Sequence, residues 1–152
     1  MNGPGYDRLG VIGIVAMLVH ATGAPAFSAA CSNEPERAIE WGDRAVQLSP
    51  FDRHIYCAHI GRGVGYFGLG RYEEAANAGR NAIRANPGFN VGYTVLVAAL
   101  AALGRLPEAR ATAAQLLALR PGFKSNLVTR GVAVPEALAT PFTAALQAAG
   151  LP

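Results

Sequence analysis

The sequence predicts an all-α fold: a short right-handed α-solenoid of helical hairpins with a C-terminal capping helix. Three observations carry this. Gly70, Arg71, Glu74, Ala75, Pro87 and Phe89 recur 34 positions downstream as Gly104, Arg105, Glu108, Ala109, Pro121 and Phe123. A fixed period of that length marks stacked units that cannot bury their apolar faces alone. Alanine and leucine dominate a composition that is 51% apolar and only 15% charged, which favours close-packed helices over strands or disorder. Glycine and proline fall where helices would turn and stop. At 152 residues, such a chain forms one domain that buries about 68–70% of its unfolded surface.

Residues 1–30 are an apolar N-terminal segment. No formal charge occurs from Leu9 to Asn33, and Leu9 to Val19 is densely apolar behind Arg8. The pattern resembles the n- and h-regions of a bacterial secretory signal, with Ser28, Ala29 and Ala30 as a cleavage site. The competing reading is a degenerate first helix of the array. Lipidation at Cys31 is disfavoured, because Ser28 stands where a lipoprotein signal carries a large aliphatic residue. A membrane span is disfavoured too, since the strongly apolar part is about 11–13 residues against about 20 needed. A cytoplasmic location is preferred with a packed first helix, and a periplasmic or secreted one follows from a cleaved signal. The membrane is a partner only if residues 9–30 are an uncleaved anchor.

The repeats occupy residues 31–124. A helix is expected over Glu34 to Ser49, where Pro35 presets φ and Glu34 and Glu36 suit the positive amino end. Ala38, Ile39, Ala45, Val46 and Leu48 give it an apolar stripe, and Ser49-Pro50 ends it. Asp52 is a candidate cap for a helix from about Arg53 to Leu69, which turns at Gly70 into Tyr72 to Ala85. Beyond Pro87, a helix from about Asn90 to Leu103 turns at Gly104 and returns from about Pro107 to Leu119, stopped by Pro121. Residues 125–152 form the capping segment. Thr140 and Pro141 are expected as cap and first-turn proline of its helix, with Phe142, Ala145, Leu146 and Ala149 as the apolar stripe and Gly150 as the stop.

The period and these residues resemble the tetratricopeptide repeat family. In that frame, unit 56–89 has Gly63 as the small residue and Tyr66 as the aromatic of its first helix. Ala75 and Ala82 stand where close helix contact is required, Gly70 at the turn and Pro87 at the terminating proline. Unit 90–123 keeps Gly104, Ala109 and Pro121, with Val97, Leu100 and Leu116 as apolar replacements at the other positions. Half-repeat 34–50 carries Ala38, Ala45 and Pro50, although Pro50 lies 37 residues before Pro87. The three extra residues are expected to lengthen the helix that follows.

A narrower likeness lies in Pro35-Glu36-Arg37-Ala38-Ile39-Glu40, Leu48-Ser49-Pro50-Phe51-Asp52, Gly70-Arg71-Tyr72-Glu73-Glu74-Ala75 and Ala148-Ala149-Gly150-Leu151-Pro152. These resemble the C-terminal repeats of bacterial adenylate/guanylate cyclase proteins. The resemblance implies the accessory region alone, because a cyclase domain and its paired metal-binding aspartates have no counterpart here.

Other chemistries find little support. A net charge of +3, with scattered arginines and no aromatic-spaced basic stripe, argues against nucleic acid. Gly63, Gly65 and Gly68 spell G-x-G-x-x-G, but a dinucleotide loop needs a preceding strand and a helix that it opens. Here the glycines fall inside a predicted helix, where each costs about 0.5–1 kcal/mol relative to alanine. Close approach of a neighbour is the compensating use. His54, Cys57 and His59 cannot converge on one metal, since His59 lies about 140° around the helix from His54 and about 160° from Cys57. Cys31 and Cys57 form neither a disulfide framework nor a zinc pair. Glu73 and Glu74 diverge, and no nucleophile-base arrangement can be assembled. No catalysis, cofactor, metal or small-molecule substrate is therefore expected.

The expected function is to bind a protein or peptide. In the family, first helices line the concave side, which puts Cys57, Ile60, Gly61, Val64, Phe67 and Gly68, then Val91, Thr94, Val95, Ala98, Ala101 and Ala102, in the groove. Chaperone-binding members hold terminal carboxylates there with lysine, asparagine and arginine, and those residue types are missing from these positions. An apolar groove of small side chains suits an amphipathic helix. The C-terminal helix is read as a cap over such mimicry. The alternative function is a structural accessory or dimerisation domain derived from a cyclase C-terminal region.

Overall fold

The computed structural model describes residues 33–126 and 134–152. The expectations for residues 1–30 and Cys31 lie outside the described residues. Among the described residues there are six helices and no strand: α1 (Pro35–Leu48), α2 (Ile55–Gly68), α3 (Tyr72–Ala85), α4 (Asn90–Ala102), α5 (Leu106–Leu119) and α6 (Glu136–Ala148).

Local chemistry sets the boundaries. Ser49, Asn86 and Arg120, each one residue before a proline, close α1, α3 and α5 with φ of −148° to −136°, because the proline ring excludes the helical region for its predecessor. The hairpin turns need the opposite hand. Gly70 and Gly104 have φ of 72° and 75°, and the amide after each reaches back five residues, Arg71 N–H to the Tyr66 carbonyl at 2.8 Å and Arg105 N–H to Leu100 at 2.9 Å. This left-handed closure satisfies the last carbonyls of α2 and α4. Gly150 ends α6 in the same way, with φ 89° and a Leu151 N–H bond to Leu146.

Two sequence expectations are corrected. Thr140 and Pro141 do not start the last helix, which begins at Glu136 after Pro135 in extended conformation and carries Pro141 in its interior. Burial outweighs the proline: the longer helix places Leu138 against the inner helices, while Pro141 stays on the exposed side. The extra residues between Pro50 and Pro87 also do not mainly lengthen a helix. The connection Ser49–His54 has six residues against four at Asn86–Phe89, and α2 is one residue longer than α4. Asp52 folds that longer connection by accepting a hydrogen bond from the His54 amide at 2.6 Å, while α2 starts beyond it, at Ile55.

The helices form two layers. α2 packs against α1 and α3, α4 against α3 and α5, and α2 touches α4 directly. α1, α3 and α5 make no comparable contact with one another. The first helices of successive hairpins thus make an inner layer and the second helices an outer one. A continuous apolar core runs through both, from Ala38 through Ile60, Val64 and Val95 to Leu100, Ala109 and Leu116. α6 joins this core through Phe142 and Leu146, both fully buried. It lies against α4 and contacts α5 little, so the cap seals the array from the inner side.

Glycine is what lets α2 sit this close to its neighbours. A Cβ on Gly65 would stand 2.7 Å from the Pro35 carbonyl oxygen of α1, and one on Gly63 would stand 2.5 Å from Cγ1 of Val95 in α4. Real Cβ atoms do not approach other heavy atoms so closely, and neither the backbone oxygen nor a β-branched side chain can swing aside.

Candidate inner-face binding site

The inner layer gathers most of the positions assigned to the groove. Ile60, Val64, Phe67, Val91, Thr94 and Ala98 lie on α2 and α4 and are buried, while Cys57 is half-buried. Thr94 keeps its hydroxyl satisfied within its own helix, donating to the Val91 carbonyl at 2.7 Å, so a polar atom rests in an apolar wall without a desolvation penalty. Val95 is placed differently. Its Cγ1 occupies the notch left by Gly63, so it joins one hairpin to the next and does not line an open surface.

The inner face is covered by α6. Phe142 of α6 meets Phe67 edge to face, with ring centroids 5.0 Å apart and planes at 68°, and Phe67 in turn meets Tyr72 at 5.2 Å. Such edge-to-face pairs contribute about 0.5–1.5 kcal/mol beyond area burial. Leu138 places its Cδ1 3.1 Å from where a Cβ on Gly68 would be. Asn33, Pro35, Val64, Gly65, Pro135 and Leu138 line a cleft too narrow for water at the start of α6. The carboxy-terminal tail is tied down beyond α6, where the Ser125 amide donates to the Pro152 carbonyl.

The three glycines of the G-x-G-x-x-G string therefore serve three neighbours. Gly65 admits α1 and Gly63 admits α4, while Gly68 faces Leu138 of α6. The sequence carried a signal for the third contact, because Leu138, Phe142 and Leu146 recur every four residues, the spacing of one helix face.

Charge lies at the edges of the array. Arg62 stands 2.8 Å from Asp43 between α1 and α2, without the alignment of a hydrogen bond, and Arg105 reaches Glu73 across hairpins at 3.4 Å. Arg71 lies over the buried Tyr66 ring at 4.7 Å while pairing with Glu74. Burial, reinforced by the Arg62 charge, pushes His59 down to about 4, so its imidazole is neutral near pH 7. Burial raises the Cys57 thiol, which leaves it a poor nucleophile. Among the described residues, no three His, Cys, Asp or Glu side chains gather to hold a metal, and no helix is long and apolar enough to cross a membrane.

Ala75, Ala82 and Ala109 are buried at helix contacts, Tyr66 is buried, and Pro87 and Pro121 are exposed just past the ends of α3 and α5. Residues 66–126 match the family profile described as Tetratricopeptide repeat. The second TPR domain of human RPAP3, solved in complex with the HSP70 peptide SGPTIEEVD, is similar with a TM-score of 0.66 and 20% identity, over 90% of this chain and 98% of that one. The fold is a tetratricopeptide-repeat solenoid. An O-GlcNAc transferase mutant from Thermobaculum terrenum is similar with a TM-score of 0.62 and 24% identity, over 72% of this chain but only 21% of that one. No curated protein matches. α2–α3 and α4–α5 are two helical hairpins, and α1 precedes them.

Proposed function

We propose that this solenoid is a non-catalytic scaffold that holds a protein or peptide on its inner face, through Cys57, Ile60, Val64, Phe67, Val91, Thr94 and Ala98. One observation supports the reading above others: the face already accommodates a helix, since α6 rests on α4 with Phe142 against Phe67. Small and apolar side chains let a ligand helix approach the backbone, with anchors at i, i+3, i+4 and i+7. Cys57, Ile60, Val64, Phe67, Val91, Thr94 and Ala98 include no lysine, arginine or asparagine, so these positions do not suit a ligand held by terminal carboxylates. The preferred ligand is therefore an amphipathic helix. The repeats of residues 31–124 supply the face, and residues 125–152 close it.

A displayed library of helical peptides, selected on the full chain, tests this directly. Binders should carry apolar residues at helical spacing, and hydrogen exchange should show protection of α2 and α4. Protection confined to α3 and α5 would sink the proposal.

The burial of the inner positions also favours a second reading, a structural or dimerisation domain derived from a cyclase accessory region. There, the inner face serves only internal packing, and the selection yields no binder.

A further inference from the structure

Resting on the inner-face reading, we propose that α6 is an exchangeable occupant of the binding face, and that the partner is a helix carrying the same anchors. Those anchors are large apolar residues at i, i+4 and i+8, as in Leu138, Phe142 and Leu146, with small residues such as Ala139 and Ala145 between them.

The placement of α6 is the first argument. A helix that continued the solenoid would pack on α5 as α4 packs on α3, yet α6 lies on α4 and barely meets α5. It lies along the inner face, where the reading above places a ligand helix. The second argument is the character of the contact. Among the described residues, no hydrogen bond or ion pair joins residues 136–148 to α1–α5, and what meets across the boundary is apolar: Leu138 at Gly68, Phe142 on Phe67, and the buried Leu146. The polar tether, Ser125 to Pro152 and Leu151, lies beyond the helix, so α6 can leave the face without breaking a buried polar pair. The third argument is Pro141, which removes a hydrogen bond from the middle of α6. The helix therefore depends on its seat for part of its stability. A partner helix with the same anchors and no interior proline competes for that seat.

The test uses the full chain and a fluorescein-labelled peptide of residues 134–152, read by fluorescence anisotropy. A tethered helix competes at an effective concentration in the millimolar range, so wild type should bind the peptide weakly. Phe142→Asp, which unseats α6 in cis, should bind at least about tenfold tighter, an expectation set by that effective concentration. Because Phe142→Asp also threatens the core, a second variant decides the matter independently. Gly68→Cys with Leu138→Cys, in a Cys31→Ser background that keeps the distant Cys57, should exclude the peptide when oxidised and admit it when reduced. Equal binding by the oxidised and reduced forms overturns the proposal. If a helix selected as described above also binds both forms equally at α2 and α4, the inner-face reading survives and only the exchange fails. If no form binds any helix, both fail.

Discussion

Gly65 and Gly70 separate two reasons for a glycine, and alanine at each position reports a different one. At Gly65 a methyl group meets the Pro35 carbonyl at 2.7 Å, so α1 and α2 must move apart. Overpacking of this kind costs about 1–3 kcal/mol, more than the roughly 0.5–1 kcal/mol of helix propensity regained. Gly65→Ala should therefore lower the urea midpoint. At Gly70 the space is open but φ is 72°, so Gly70→Ala should cost about 1–2 kcal/mol through backbone strain alone. His59 adds a pH dependence at this scale. Its folded pKa of about 4 lies below the ordinary 6.5, so between these values the unfolded chain binds more protons and stability falls as pH falls. Above 6.5 the effect vanishes. With partial exposure discounted, the loss should be about 1–2 kcal/mol, and His59→Gln should flatten that part of a stability–pH curve.

The elements differ in how much of their stability is their own. α3 runs Tyr72–Ala85, the range expected from its glycine and proline punctuation, because those signals act on neighbouring residues only. α6 is the opposite case. Read locally, Thr140-Pro141 is a helix start, and it becomes a helix interior only because docking buries Leu138 and Phe142. Pro141→Ala restores a backbone bond on an exposed face and should stabilise the chain by up to about 3 kcal/mol, seen as a higher Tm. Phe142→Ala empties a fully buried site and should cost about 3–5 kcal/mol. A smaller loss would mean that α6 is not seated as described.

Across the whole molecule, cohesion is apolar. The ion pair that joins the two hairpins, Arg105 to Glu73, is exposed, and such pairs contribute about 0–1 kcal/mol. Moderate salt should therefore shift the unfolding midpoint little. Cohesion is also uneven, since α2 is held between α1, α3 and α4 while α6 rests mainly on α4. Hydrogen exchange should be faster in α6 than in α2 and α4. Equal protection throughout would mean that α6 is an inseparable part of the core.

The sequence by itself determined the hairpins. Proline restricts the residue before it, glycine alone enters a left-handed turn cheaply, and a 34-residue recurrence of both repeats the same turn wherever it occurs. These are short-range effects, legible without knowing what lies across the molecule. Only the tertiary structure decided that Val95 fills the notch at Gly63 and that α6 covers the inner face. Helical spacing says which side chains share a stripe, but any apolar stripe of suitable shape can bury against any other. The choice between them is made by volume, and volume exists only once the helices have met.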